Sequence, residues 1–136
     1  MSDAREVHPE RWAKPVGYAH GMIAAGGGRM VVTAGQIGWN PATQELASDD
    51  FAAQTVQALR NVVAVLTAAG ARPEHLVRLT WYITDRDEYL AARRKVGEGY
   101  REILGKHFPV MTVVVVSGLL EPGAKVEIEA TAIVPA

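Results

Sequence analysis

The chain contains no cysteine. A thiolate nucleophile, a disulfide staple and any sulfur-ligated zinc are therefore excluded. It has no surplus of positive charge either: 14 Lys+Arg stand against 15 Asp+Glu, a formal net charge of −1. Binding a phosphate backbone needs clustered cations, so no nucleic-acid partner is expected. Long apolar runs are missing as well. The longest, residues 110–120, is interrupted by Thr112, Ser117 and Gly118 and is too short to span a bilayer as a helix, so no membrane partner is expected. The opening MSDAREVHPERW mixes charges and lacks the basic and apolar regions of a secretory signal. These absences together predict a soluble, cytoplasmic protein.

What is present is an ordinary globular composition, 136 residues with 49% hydrophobic and 21% charged. That length predicts a single domain over residues 1–136, in which 1–17, with Pro9 and Pro15, form an N-terminal arm. Apolar runs at 19–25 and 29–34 flank Gly26-Gly27-Gly28, which predicts a hairpin. Residues 38–49 read as a polar connection with a turn at Asn40-Pro41. Phe51, Thr55, Leu59, Val62, Val63 and Leu66 recur at steps of three and four, so 51–69 is a helix, capped near Asp49 or Asp50 and ended by Gly70. Residues 76–84 are a strand, and 88–104 a second helix with its apolar stripe on Tyr89, Ala92, Val96, Tyr100 and Ile103. Gly97 and Gly99 weaken that helix by about 1 kcal/mol each and suggest a close backbone approach. The valine-rich 112–116 predicts a strand buried on both faces. Residues 126–134 alternate apolar and polar, a half-buried strand. The order β-β-α-β-α-β-β predicts an α+β fold: a mixed sheet with two helices on one face and the other face left to solvent or to other subunits.

Familiar catalytic motifs are absent. Gly26-Gly27-Gly28 opens no helix and cradles no phosphate, Ser117-Gly118 forms no nucleophile elbow, and His8, His20, His75 and His107 lack metal-ligand spacing. Glu127 and Glu129 share one side of a strand, about 7 Å apart by strand rise. They are either a solvated charged face or, in a desolvated cleft, groups able to move a proton; the spacing alone leaves both open.

Several segments taken together resemble the Rid (reactive intermediate deaminase, YjgF) family. They are Gly17-Tyr18-Ala19-His20-Gly21, Val32-Thr33-Ala34-Gly35-Gln36-Ile37, residues 54–61 followed by Leu66-x-x-Ala69-Gly70-Ala71, Thr80-x-Tyr82, Phe108-Pro109 and Val126-Glu127-Ile128-Glu129-Ala130. They span residues 15–134 in the order of the elements read above. The resemblance implies a chorismate-mutase-like α+β fold, a homotrimer with clefts between subunits, and hydrolysis of small-molecule imines or enamines to a keto compound and ammonia. It implies no cofactor and no metal. By the same resemblance Glu127 and the backbone carbonyl of Val113 hold the attacking water, Tyr18 lines the pocket, and Gly35 contacts substrate through its backbone.

One departure stands out. Where the family carries Pro-x-Arg, whose guanidinium clamps the substrate carboxylate, this chain has Pro109-Val110-Met111. A thioether cannot bind a carboxylate, so a Met111 facing the cleft implies a less anionic substrate than the usual small 2-imino acid. His20 is a second departure, either a cleft donor or a surface contact. Arg93, Arg94 or Arg101 are candidates for a replacement guanidinium, Trp39 for a shield of the cleft mouth or of a subunit seam, and Trp81 for packing in or on the sheet. Three functions follow as hypotheses: a deaminase of altered selectivity, a non-catalytic metabolite-binding trimer, and, against the charge balance, an RNA-cleaving enzyme.

Overall fold

The computed structural model describes residues 4–24 and 27–136. Strand β1 (Ala4–Val7) lies in the segment expected to be an arm, and it pairs antiparallel with β2 (Gly21–Ala24). β3 (Arg29–Val32) does not pair with β2 among the described residues; its partner is the last strand. The expected hairpin is thus corrected, and part of its apex, Ala25 and Gly26, lies outside the described residues. The reason is nonlocal. The arm supplies a partner for β2, while Val31 packs against the core only when β3 joins the main sheet.

Three short strands follow, β4 (Gln36–Ile37), β5 (Trp39–Asn40) and β6 (Glu45–Leu46). Helix α1 (Phe51–Ala68) begins where Asp50 accepts a hydrogen bond from Ala53 N–H at 3.0 Å. It ends at Gly70, whose φ of +78° suits a residue without Cβ. A 3-10 turn, Pro73–His75, leads into β7 (Leu76–Ile83). Helix α2 (Arg86–Leu104) starts two residues before the expected position, because Asp85 is the cap and holds Glu88 N–H at 2.9 Å. β8 (Val110–Val115) and β9 (Val126–Val134) complete the chain.

The main sheet has the order β3-β9-β7-β8, with β4 also on β9; β7 and β8 run parallel and the other pairs antiparallel. Leu79, Trp81 and Ile83 of β7 and the alternate residues of β9 face the helices and form the core with Leu59, Val62 and Leu66 of α1. β8 is not buried on both faces as its valines suggest. It is the edge of the sheet, and Val114 and Val115 are exposed in the single chain. The uncovered face carries Glu127, Glu129 and Ile133 of β9, Thr80 and Tyr82 of β7, and Met30 and Val32 of β3. Met30 and Val32 are 68% and 66% exposed there, an apolar area on an open sheet face.

Candidate functional site

Glu127 emerges on the open face because β9 alternates and its even-numbered residues fill the core. Register sets Ile37 of β4 on one side of Glu127 and Tyr82 of β7 on the other. The chain entering β4 crosses so close that a Cβ at Gly35 would fall on the Glu127 carboxylate, within 2.8 Å of Cδ. Only glycine leaves that carboxylate in place. Gly35, Tyr82, Leu120, Glu127 and Glu129 line a cavity of about 410 Å³. The Tyr82 hydroxyl donates to Glu129 Oε1 at 2.6 Å. That hydrogen bond, then partial burial, then the negative charges of Glu129 and Glu127 raise the phenol above its ordinary pKa. Glu129 is occupied by this bond, whereas the Glu127 carboxylate has no side-chain hydrogen bond or ion pair among the described residues. Its lone pairs are available to a water or a substrate proton.

Tyr18 and His20 sit elsewhere, just past the arm and beside the start of β8. The His20 ring meets Tyr18, Trp12 and His8 edge to face at 5.7, 5.0 and 5.2 Å, and its Nδ1 is 3.2 Å from His8 Nδ1. Glu6 Oε2 holds His8 Nε2 at 3.2 Å. This aromatic knot anchors the arm beside a cavity of about 790 Å³ reaching from Glu6 to Phe108. Ala19 N–H donates to Pro109 O, which ties Tyr18 and His20 to the start of β8. Trp12 of the arm is held by its edge-to-face contact with the His20 ring.

Met111 lies on the helix-covered face, because register matches it to Leu79. It packs against the core and lines a third cavity, of about 320 Å³, with Trp81, Phe108, Arg93 and Arg101. Arg94 points away from it and pairs with Glu98 at 3.3 Å. Val113 is on the same strand. Val116 N–H bonds to Ile83 O on β7, whereas Pro109 O on the opposite edge accepts from Ala19. Alternation along an extended strand therefore turns the Val113 carbonyl to the outer edge of the sheet. Trp39 pairs with Leu46 across β5 and β6, and its carbonyl accepts from Asn61 Nδ2 at 2.9 Å. It lines none of these cavities.

Within one chain the expected site residues therefore form two groups on opposite faces of the sheet. Gly35 and Glu127 form one; Met111 and Val113, with Tyr18 and His20 beside the arm, form the other, and Trp39 belongs to neither. Sequence reading quoted Tyr82 only as part of a motif and missed its place opposite Glu127. Its alternation with Trp81 along β7 was the available signal. No group of three or more His, Asp or Glu is arranged to hold a metal ion among the described residues. No helix among them is long and apolar enough to cross a membrane.

Comparison with known proteins places this geometry. A family model described as Endoribonuclease L-PSP matches residues 11–134. Protein DfrA of Myxococcus xanthus is 32% identical over 133 residues, 95% of each chain. The 2-iminobutanoate/2-iminopropanoate deaminase of Escherichia coli K12 is 36% identical over 109 residues, 78% of this chain and 80% of that one. Among solved structures, YyfB of Yersinia pestis, from the conserved Rid protein family, matches with a TM-score of 0.85 at 32% identity, covering 97% of this chain and 99% of its own. With the helix-covered mixed sheet and the Gly35–Glu127 contact in common register with the motifs of its sequence, the chain belongs to the Rid (YjgF) family.

Proposed function

We propose that the protein is a hydrolytic imine or enamine deaminase. The observation that carries this is the free Glu127 carboxylate, held against Gly35 in an open-face cavity of a Rid-family chain. The E. coli relative named as an imine deaminase supports the reaction class. Water adds its oxygen to the imine carbon, and Glu127 accepts the proton it sheds. Glu127 returns that proton to nitrogen, giving a carbinolamine. Transfer of the hydroxyl proton to nitrogen then lets the C–N bond break, leaving a carbonyl and ammonia. A carboxylate placed to shuttle protons contributes roughly 10²- to 10⁴-fold to such a step.

Two surfaces must meet for the remaining residues to act. We place Glu127 and Gly35 of one subunit against Tyr18, Met111 and the Val113 carbonyl of the next, in a homotrimer that covers the exposed Met30 and Val32. Light scattering is expected to give three chain masses. A Val32→Glu variant is expected to dissociate.

Without a guanidinium at Met111, the usual small 2-imino acids lose about 2–4 kcal/mol of anchoring, or ~30- to 1000-fold in kcat/KM. Ammonia release from a panel of enamines is expected to be fastest on substrates other than 2-iminopropanoate and to collapse in Glu127→Gln. Equal rates in variant and wild type would overturn the deaminase function and leave a metabolite-binding trimer. RNA cleavage is disfavoured, because the net charge is −1 and the cavity holds two carboxylates that repel phosphate.

A further inference from the structure

His8 and His20 stand 12 residues apart, and no spacing rule of the sequence joins them. Strand pairing does. Val7 of β1 lies opposite Gly21 of β2 in antiparallel register, so the next step outward sets His8 opposite His20. Directly opposed residues project to the same side, and the two imidazoles meet there with Nδ1 3.2 Å from Nδ1. Glu6, two residues before His8 and on the same side of the strand, reaches His8 Nε2 at 3.2 Å. A carboxylate only accepts, so the His8 proton sits on Nε2 and its Nδ1 turns a lone pair toward His20.

That separation suits a shared ion. Two imidazole nitrogens at about 2.0–2.1 Å from one ion lie about 3.4 Å apart in a tetrahedral arrangement and about 2.9 Å apart in a square one, and 3.2 Å falls between the two. Glu6 is the second observation. Metal-bound histidines hold their outer N–H on a carboxylate, which fixes the tautomer and raises the basicity of the ligating nitrogen. The third is the orientation of His20, whose ring is held edge to face by Trp12 at 5.0 Å and by Tyr18 at 5.7 Å. The cavity of about 790 Å³ beside His8 gives room for water ligands, and its charged lining is balanced, Glu6 against Lys14.

We propose that His8 and His20 hold a divalent transition-metal ion of the zinc, nickel and copper class through their Nδ1 atoms, with Glu6 behind His8 and water in the remaining positions. Imidazole suits these ions, whereas magnesium demands oxygen ligands. The proton between the two Nδ1 atoms of the free chain passes to His20 Nε2 when the ion enters. Two protein ligands make an open, exchangeable site, unlike a closed four-ligand structural one. The ion joins the end of β1 to the start of β2 and clamps the arm between them. No step of imine hydrolysis runs through it.

Calorimetric titration of the tag-free full chain with zinc chloride tests it. One ion per chain with a Kd at or below about 100 µM is expected, weakened at least tenfold in the His8→Gln/His20→Gln double variant. Glu6→Gln keeps both ligands and is expected to weaken binding about tenfold. Magnesium chloride is expected to give no heat. Copper(II) supplies a local readout that needs no altered ligand: its binding quenches the emission of Trp12, whose ring lies against His20, and the lost emission is absent from Trp12→Phe. Thermal melting with EDTA present confirms that each variant folds. No heat with zinc, full affinity in the double histidine variant, magnesium binding as tight as zinc, or copper quenching of equal extent in Trp12→Phe each overturns the proposal. Binding is read without ammonia release, so this proposal and the deaminase function fail separately.

Discussion

At Gly35 a single hydrogen atom separates an open carboxylate from a blocked one. A methyl group there meets Glu127 at its carboxyl end, and the backbone on either side is fixed by pairing with β9. The side chain must therefore swing away, at a cost of about 1–3 kcal/mol in packing. Gly35→Ala is expected to lower kcat for ammonia release by roughly two orders of magnitude while the melting temperature falls only a few degrees. Parallel loss of both would reduce Gly35 to a structural role. Gln54 shows the opposite kind of residue. It is buried, its Nε2 donates to Ser48 O at 2.9 Å and Gly123 O at 3.0 Å, and its Oε1 accepts from Lys125 N at 2.8 Å. Gln54→Leu leaves three backbone groups unmatched, and urea unfolding is expected to show a loss of roughly 3 kcal/mol. Glu127 was legible because alternation fixes its face. Which way Met111 faces was not, because that depends on β8 being in register with Leu79 rather than on its neighbours in sequence.

Elements held by local rules were read well. Both helices carry their cap and stripe in sequence, and Asp50, Asp85 and Gly70 act as such signals predict. Pairing was read less well, because β1 with β2 and β3 with β9 are settled by distant segments competing for the same edge. Gly99 joins the two levels. A Cβ there would lie 2.5 Å from Val56 Cγ2, so this glycine sets how closely α2 approaches α1. Gly99→Ala gains about 1 kcal/mol of helix propensity and loses about 1–3 kcal/mol to the collision. The single variant is expected to be destabilised by denaturant titration. In the Val56→Ala background the same change is expected to be neutral or stabilising, a double-mutant cycle whose coupling energy disappears if the helices are not in contact there.

Across the whole molecule the sheet separates two chemistries, an acidic cavity on the open face and a cationic one under the helices. The open face was legible in the sequence as a surface needing cover; its division of labour was not, since no spacing rule says which arginines of α2 meet Met111. Tyr82 and Tyr100 sit on opposite sides of that sheet and share one property. Burial raises the Tyr100 phenol above its ordinary pKa of 10.0, and the Glu129 hydrogen bond raises that of Tyr82. Folding therefore favours the protonated phenol in both. Their contribution is fully present below pH 10.0 and is lost as pH rises beyond it, because the unfolded chain ionises first. Tyr100 is the stronger case, as it joins α2 to His107, whose ring Nε2 is 2.7 Å from Leu76 O at the start of β7. Tyr100→Phe is expected to lose about 1 kcal/mol at neutral pH through the missing hydrogen bond and to show a shallower fall in stability above pH 10. Phenolate absorbance assigned to Tyr100 by difference between the two proteins is expected only as circular dichroism reports unfolding. Its appearance in the folded chain would mean that the α2–β8 connection opens on its own, and with it the cationic cavity that Tyr100 and Phe108 help to wall.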